Sequence, residues 1–177
     1  MSITKWEVDV AHSSIDFSVR HLMIAKVKGA FEKFTADITA DPADMATASI
    51  AITIDAASIN TRINDRDNHL RSADFFDVAK HPTIQFVANK IVKTGDNTYD
   101  VSGDLTMIGV TKPETFKLVY EGTIKDFAGV EKAGFSGSGK IVRTNYGLNW
   151  NKALETGGVL VGEDVSIEFE MQLANKG

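Results

Sequence analysis

With 177 residues, 43% of them hydrophobic and 24% charged, the chain has the composition of an ordinary folded domain. A net charge of -5 argues against a nucleic-acid partner, which calls for a basic face, and the absence of cysteine excludes disulfides, thiolate metal sites and a cysteine nucleophile. No linker, low-complexity run or repeat interrupts the chain, so residues 1–177 read as one domain. No apolar run approaches the ~20 residues of a membrane helix, so no integral membrane segment is expected. The opening MSITKWEVDVAHSSIDF has no apolar signal core, and together with the Met start this favours a cytoplasmic protein.

Strand-like segments follow one another at 4–9, 13–21, 25–39, 47–56, 82–92, 98–107, 114–125, 133–143 and 163–174. In the second, Ile15, Phe17, Val19 and His21 share one parity. The fourth alternates Ile50, Ile52 and Ile54 with polar or small neighbours. Tyr99, Val101, Gly103, Leu105 and Met107 keep the rule, as do Phe116, Leu118, Tyr120, Gly122 and Ile124, then Val165, Ile167, Phe169, Met171 and Leu173. Period two places alternate side chains on opposite faces of a strand. So many such strands in one short chain predict a closed sheet, apolar inside and wet outside.

In segment 25–39 the apolar parity switches from Val27, Gly29 and Phe31 to Phe34, Ala36 and Ile38, which requires a bulge or bend near Glu32-Lys33. Turn signals stand at Asp41-Pro42, Gly95 to Asn97, Gly109 to Pro113, Asp126 to Gly129 and Gly157-Gly158. Residues 60–77 break the strand rhythm. Asn64 and Asp67 resemble a capping box, and Arg66 and Leu70 share a helical face, so a short helix is expected over about 65–73. A tight turn with Phe75 and Phe76 follows, and the whole suits a plug or lid at one end of a barrel. Arg62, Arg66 and Arg71 are the expected charge partners of Asp65 and Asp67.

Chemical motifs are sparse. Gly134 to Lys140 fits the first seven positions of a phosphate-binding loop, but Ile141 stands where Ser or Thr belongs and the segment reads as strand. Phe135, Gly137, Gly139 and Ile141 share a face, and the two glycines are expected to leave volume in the lumen. His12, His21, His69 and His81 have no metal-ligand spacing, so no metal is expected. His21 reads equally as a core histidine or as a polar group at a pocket mouth. No nucleophile elbow occurs.

The residues Trp6, Asp9, His12-Ser13, Ile15, Phe17, Val19 and His21, then Gly29-x-Phe31-x-x-Phe34, resemble the opening of the YceI-like family of lipid-binding proteins. The likeness continues through Arg66-Asp67, His69-Leu70, Ser72, Asp74-Phe75-Phe76 and Pro82-x-Ile84-x-Phe86. It extends to Gly103-x-Leu105-Thr106-x-x-Gly109-Val110-Thr111 and Arg143-x-x-Tyr146-Gly147-Leu148, and so covers essentially the whole chain. It implies an all-β fold with a short helix, an antiparallel lipocalin-like β-barrel of about eight strands with an elongated apolar lumen. The implied ligand is a polyisoprenoid, isoprenoid quinone or fatty-acyl chain, and no catalytic residue or cofactor is carried over.

The residues expected to meet such a chain are Ile15, Phe17, Val19, His21, Leu70, Phe75, Phe76, Ile84, Phe86, Phe116, Leu118, Phe135, Gly137, Gly139, Tyr146 and Trp150. Arg66, Asp67, His69 and Ser72 are expected as a polar cluster at one end of the pocket. The chain thus reads as a binder or carrier of a long apolar small molecule, not an enzyme, with a homodimer left open. Two rivals remain: an enzyme using His21, His69 and an aspartate in the same cavity, and a packed barrel with no lumen.

Overall fold

Successive antiparallel pairings close the sheet in the computed structural model, which describes residues 3–22, 24–41, 43–151 and 161–177. The strands are β1 (Thr4–Val8), β2 (Ser14–His21), β3 (Ala25–Phe31), β4 (Phe34–Ala40), β5 (Ser49–Asp55), β6 (Ile59–Asn60), β7 (Thr83–Lys93), β8 (Thr98–Met107), β9 (Val110–Lys125), β10 (Glu131–Val142) and β11 (Val161–Asn175). One helix, α1 (Asn64–Arg71), lies between β6 and β7. The order β1-β4-β5-β7-β8-β9-β10-β11 closes because β11 returns to β1, from Trp6↔Asn175 to Val8↔Leu173. That circuit is an eight-stranded barrel, as the resemblance implies.

β11 serves two partners along one edge. Its last residues pair with β1, and the stretch before them pairs with β2, from Glu170↔Ser14 to Val161↔His21. A 3-10 turn at Val10–His12 joins β1 to β2, and the Asp9 carboxylate accepts from the Ala11 N–H and contacts His12 Nδ1 at 2.7 Å. The parity switch at Glu32-Lys33 is a complete break, sharper than a bulge. β3 pairs with β2 and β6, while β4 pairs with β1 and β5. The backbone freed there is satisfied from 55–58: Glu32 N–H donates to Ser58 C=O, Lys33 N–H to Ser58 Oγ, and Asp55 N–H to Lys33 C=O.

Period two holds well in β8, where Tyr99, Val101, Gly103, Leu105 and Met107 are all buried. It fails late in β9. Gly134 opposes Gly122 but Phe135 opposes Tyr120, so Glu121 is an extra residue, and the resulting bulge turns Ile124 outward, 70% exposed. The hairpin between β8 and β9 is tighter than the Gly109 to Pro113 signal suggests. Ile108 (φ 44°) and Gly109 (φ 76°) make a two-residue turn closed by Met107↔Val110. Pro113 stands inside β9, in the half that precedes its pairing with β10 at Lys117↔Ser138, where a missing N–H is tolerated. The expected turns at Pro42 and Gly157-Gly158 lie outside the described residues.

Candidate functional site

The inward faces of the barrel enclose a cavity of about 580 Å³, which overturns the packed, lumen-free alternative. That volume lies within the ~300–1,000 Å³ usual for small-molecule pockets. One end is sealed by Trp6, Ala40, Ala133 and Leu173, all buried, with Trp6 Nε1 donating to the Ala40 carbonyl. The other end opens among Arg20, His21, Val27, Asp65, Arg66, His69, Trp150 and Val161. Between the ends the wall is aliphatic and aromatic.

Phenylalanines set at alternate positions on distant strands meet in the lumen. Phe86 and Phe116 pack edge to face at 5.2 Å, and Phe116 meets Phe169 at 6.3 Å. Phe17 contacts Phe31 at 5.5 Å, and Phe31 contacts Phe76 below the helix at 5.9 Å. Ile15, Phe17, Val19, His21, Leu70, Phe75, Phe76, Ile84, Phe86, Phe116, Leu118, Phe135 and Trp150 all line this cavity. His21 resolves to the mouth, half-buried, its backbone paired with Val161 and Ala25.

The helix and the turn after it cover the open end, placing Leu70, Phe75 and Phe76 against the core. Phe76 N–H donates to Leu70 C=O, and Asp77, at φ 44°, closes the turn onto Ser72 C=O. The expected capping box does not form, since Ile63 is the N-cap and makes no side-chain cap bond. Asp67, 4% exposed, turns back instead: its Oδ1 accepts from Thr61 N–H at 2.8 Å and Thr61 Oγ1 at 2.5 Å. Arg66 binds the same threonine, Nε to Oγ1 and Nη2 to the carbonyl, both at 2.8 Å.

The polar residues of the helix therefore form two groups, not the single cluster expected. Arg66 and Asp67 converge on Thr61, and Asp67 is held by Thr61, not by an arginine. Arg71 turns to the Ala57 and Ile59 carbonyls and to Asn68. The second group is His69 Nε2 at 2.8 Å from Asp74 Oδ2, with Ser72 Oγ donating to His69 C=O. His69 also meets Trp150 and Phe75 edge to face, at 4.8 and 5.1 Å. Arg66 and His69 line the cavity, whereas Asp67 and Ser72 stand behind the wall.

Three expected lumen residues do not line the cavity. Gly137 and Gly139 leave no free volume, because aromatic rings already fill it. A Cβ at Gly137 would lie 2.0 Å from Phe169 Cζ and 2.6 Å from the Lys117 carbonyl oxygen, and one at Gly139 would lie 2.3 Å from Phe116 Cδ1. The glycines seat the protein's own rings. Tyr146 is fully buried and its hydroxyl donates to Glu114 of β9. Burial and that carboxylate push its phenol well above the usual range.

Arg143 is a cavity-lining residue that pattern reading assigned no role, though it is 4% exposed. Its Nε donates to Gly162 C=O, Nη1 to the Leu148 and Trp150 carbonyls, and Nη2 to Val161 C=O. One guanidinium fork thus ties the chain after β10 to the start of β11. Desolvation pulls its pKa below the ordinary arginine value. The Arg143-x-x-Tyr146-Gly147-Leu148 spacing was the available signal. The phosphate-loop-like stretch from Gly134 lies within β10, with no helix following it. Among the described residues no cluster of His, Asp and Glu is placed to hold a metal.

An antiparallel eight-stranded barrel with one deep apolar cavity defines a lipocalin-like container. The chain belongs to the YceI-like family, whose domain model matches residues 6–173. A UPF0312 protein of Staphylococcus aureus strain MSSA476 is 42% identical over 173 residues, covering 97% of this chain and 98% of the relative. The crystal structure of Burkholderia cenocepacia BcnA is similar with a TM-score of 0.80 at 28% identity, over 93% of this chain and 98% of that one. A polyisoprenoid binding domain from Saccharophagus degradans shares the fold with a TM-score of 0.72 at 16% identity, over 97% of this chain and 99% of that one.

Proposed function

We propose that the chain binds one long apolar molecule, of polyisoprenoid, isoprenoid quinone or fatty-acyl type, along the barrel axis, and that it carries or stores that molecule. The observation behind this reading is the cavity itself: about 580 Å³, walled by aliphatic and aromatic side chains, sealed at Trp6 and open among polar groups. Such a shape suits a chain inserted tail first. Each buried methylene is worth about 0.8 kcal/mol, so a dozen supply roughly 10 kcal/mol gross against the several lost to association. The name of the Saccharophagus degradans domain supports the same ligand class. Displacement of an apolar fluorophore by prenyl and acyl competitors tests it. Affinity should climb with chain length until the lumen is full, and equal competition by short and long chains would reject an elongated site.

A second reading, an enzyme acting on an apolar substrate, is favoured by the contact between His69 and Asp74 at the cavity mouth, a geometry that general bases use. Turnover of a prenyl or acyl substrate that disappears in His69→Gln would establish it, and unchanged substrate would leave the container.

A further inference from the structure

Beside the polar groups of the cavity mouth the chain exposes apolar side chains. Leu22, Ile24 and Ile63 are 42%, 83% and 51% exposed. Leu22 sits at φ 54° in the turn between β2 and β3, a conformation unusual for a branched side chain, and Ile24 N–H closes that turn onto His21 C=O. β3 then runs alongside the chain entering α1, through Ala30↔Asn60, with the Thr61 methyl over Gly29. Ile63 follows two residues later, just before the mouth residues Asp65 and Arg66. The same segments expose Arg20, Lys26, Lys28 and Arg62, interspersed with Asp16, Asp65, Glu163 and Asp164, in a chain of net charge -5.

A second exposed apolar pair, Ile124 and Phe127, lies at the turn between β9 and β10. That turn is at the sealed end, where Lys132 opposes Ala174 next to Ala133 and Leu173. Of these two patches, the first lies beside the opening. An occupant of this cavity is poorly soluble, and each methylene carried through bulk water raises the barrier to loading. Apolar side chains set in the acyl boundary, with cations level with the headgroups, remove that step.

We propose that the cavity mouth docks on a lipid bilayer bearing anionic headgroups, and that cargo passes between bilayer and lumen without crossing water. This inference rests on the container reading above. The test uses the full chain and phosphatidylcholine vesicles with or without phosphatidylglycerol, a pyrene-labelled long-chain probe, and the variants Ile24→Asp and Phe127→Asp. Both substituted positions are exposed and neither lines the cavity. The unaltered protein should float with phosphatidylglycerol vesicles, and less so at high salt. Ile24→Asp should lower flotation and the initial rate of probe transfer by about tenfold, with final uptake of probe added from ethanol unchanged. Phe127→Asp should match the unaltered protein. Docking is overturned if protein that loads from ethanol fails to float, if Ile24→Asp transfers at the original rate, or if Phe127→Asp slows transfer equally. Loading by neither route overturns the container reading, and this inference with it.

Discussion

Replacing Asp67 by alanine removes the acceptor that fixes the start of the helical lid. Asp67 and Thr61 are 4% and 3% exposed, so water does not readily replace a lost bond. Both contacts fall on one carboxylate oxygen, from Thr61 N–H at 2.8 Å and Thr61 Oγ1 at 2.5 Å. A hydrogen bond to a charged group is worth about 1.5–3 kcal/mol, and an orphaned buried donor costs about as much. Asp67→Ala should therefore destabilise the fold by roughly 3–5 kcal/mol. Asp67→Asn keeps an oxygen where both donors point but loses the charge. Charge-assisted bonds are about twice as strong as neutral ones, so it should cost about half as much. Urea unfolding followed by tryptophan fluorescence measures both. A loss below ~1 kcal/mol for Asp67→Ala, or equal losses for the two variants, would refute this account of the lid.

Gly137→Ala and Gly139→Ala should each destabilise by about 1–3 kcal/mol, because the new methyl meets Phe169 or Phe116 at impossible range; unchanged melting would restore the open-gap reading. Arg143→Met leaves the Leu148, Trp150 and Gly162 carbonyls without the guanidinium donor, while Val161 C=O keeps its bond from Asn151 Nδ2, and should cost at least about 3 kcal/mol, with Arg143→Lys recovering part of it through three donors, both read by denaturant titration. Tyr146 gives a pH signature. Its folded phenol keeps its proton above the usual value near 10, so its contribution to stability is complete below about pH 10 and is lost as the pH rises beyond. Tyrosinate absorbance should include a phenol that ionises only on alkaline unfolding, and Tyr146→Phe should remove that contribution.

Parity along the chain reports which face a side chain takes, and this is why the lumen residues of β2, β7, β9 and β10 were legible as candidates. Parity does not report which distant strand lies opposite. Gly137 and Gly139 were placed on the correct face, yet the rings that cover them belong to β9 and β11, whose approach is set by closure of the barrel. The bulge at Glu121 is likewise invisible in an unbroken alternation from Phe116 to Ile124. The helix was legible within two residues at each end. The destination of its buried carboxylate was not, because Asp67, three residues after Asn64, resembles the partner in a capping box until Thr61, six residues earlier, folds back beneath it. Arg143 escaped for a related reason: its partners are backbone carbonyls, which no side-chain pattern encodes.

Native mass spectrometry of the protein freshly purified from its own host tests the container reading most directly. The expected result is one protein mass accompanied by a single apolar adduct per chain, lost on organic extraction and restored by a prenyl or acyl chain long enough to reach from the mouth to Trp6. Protein that is empty as isolated, and that takes up no prenyl or acyl chain of any length when one is supplied, would contradict it.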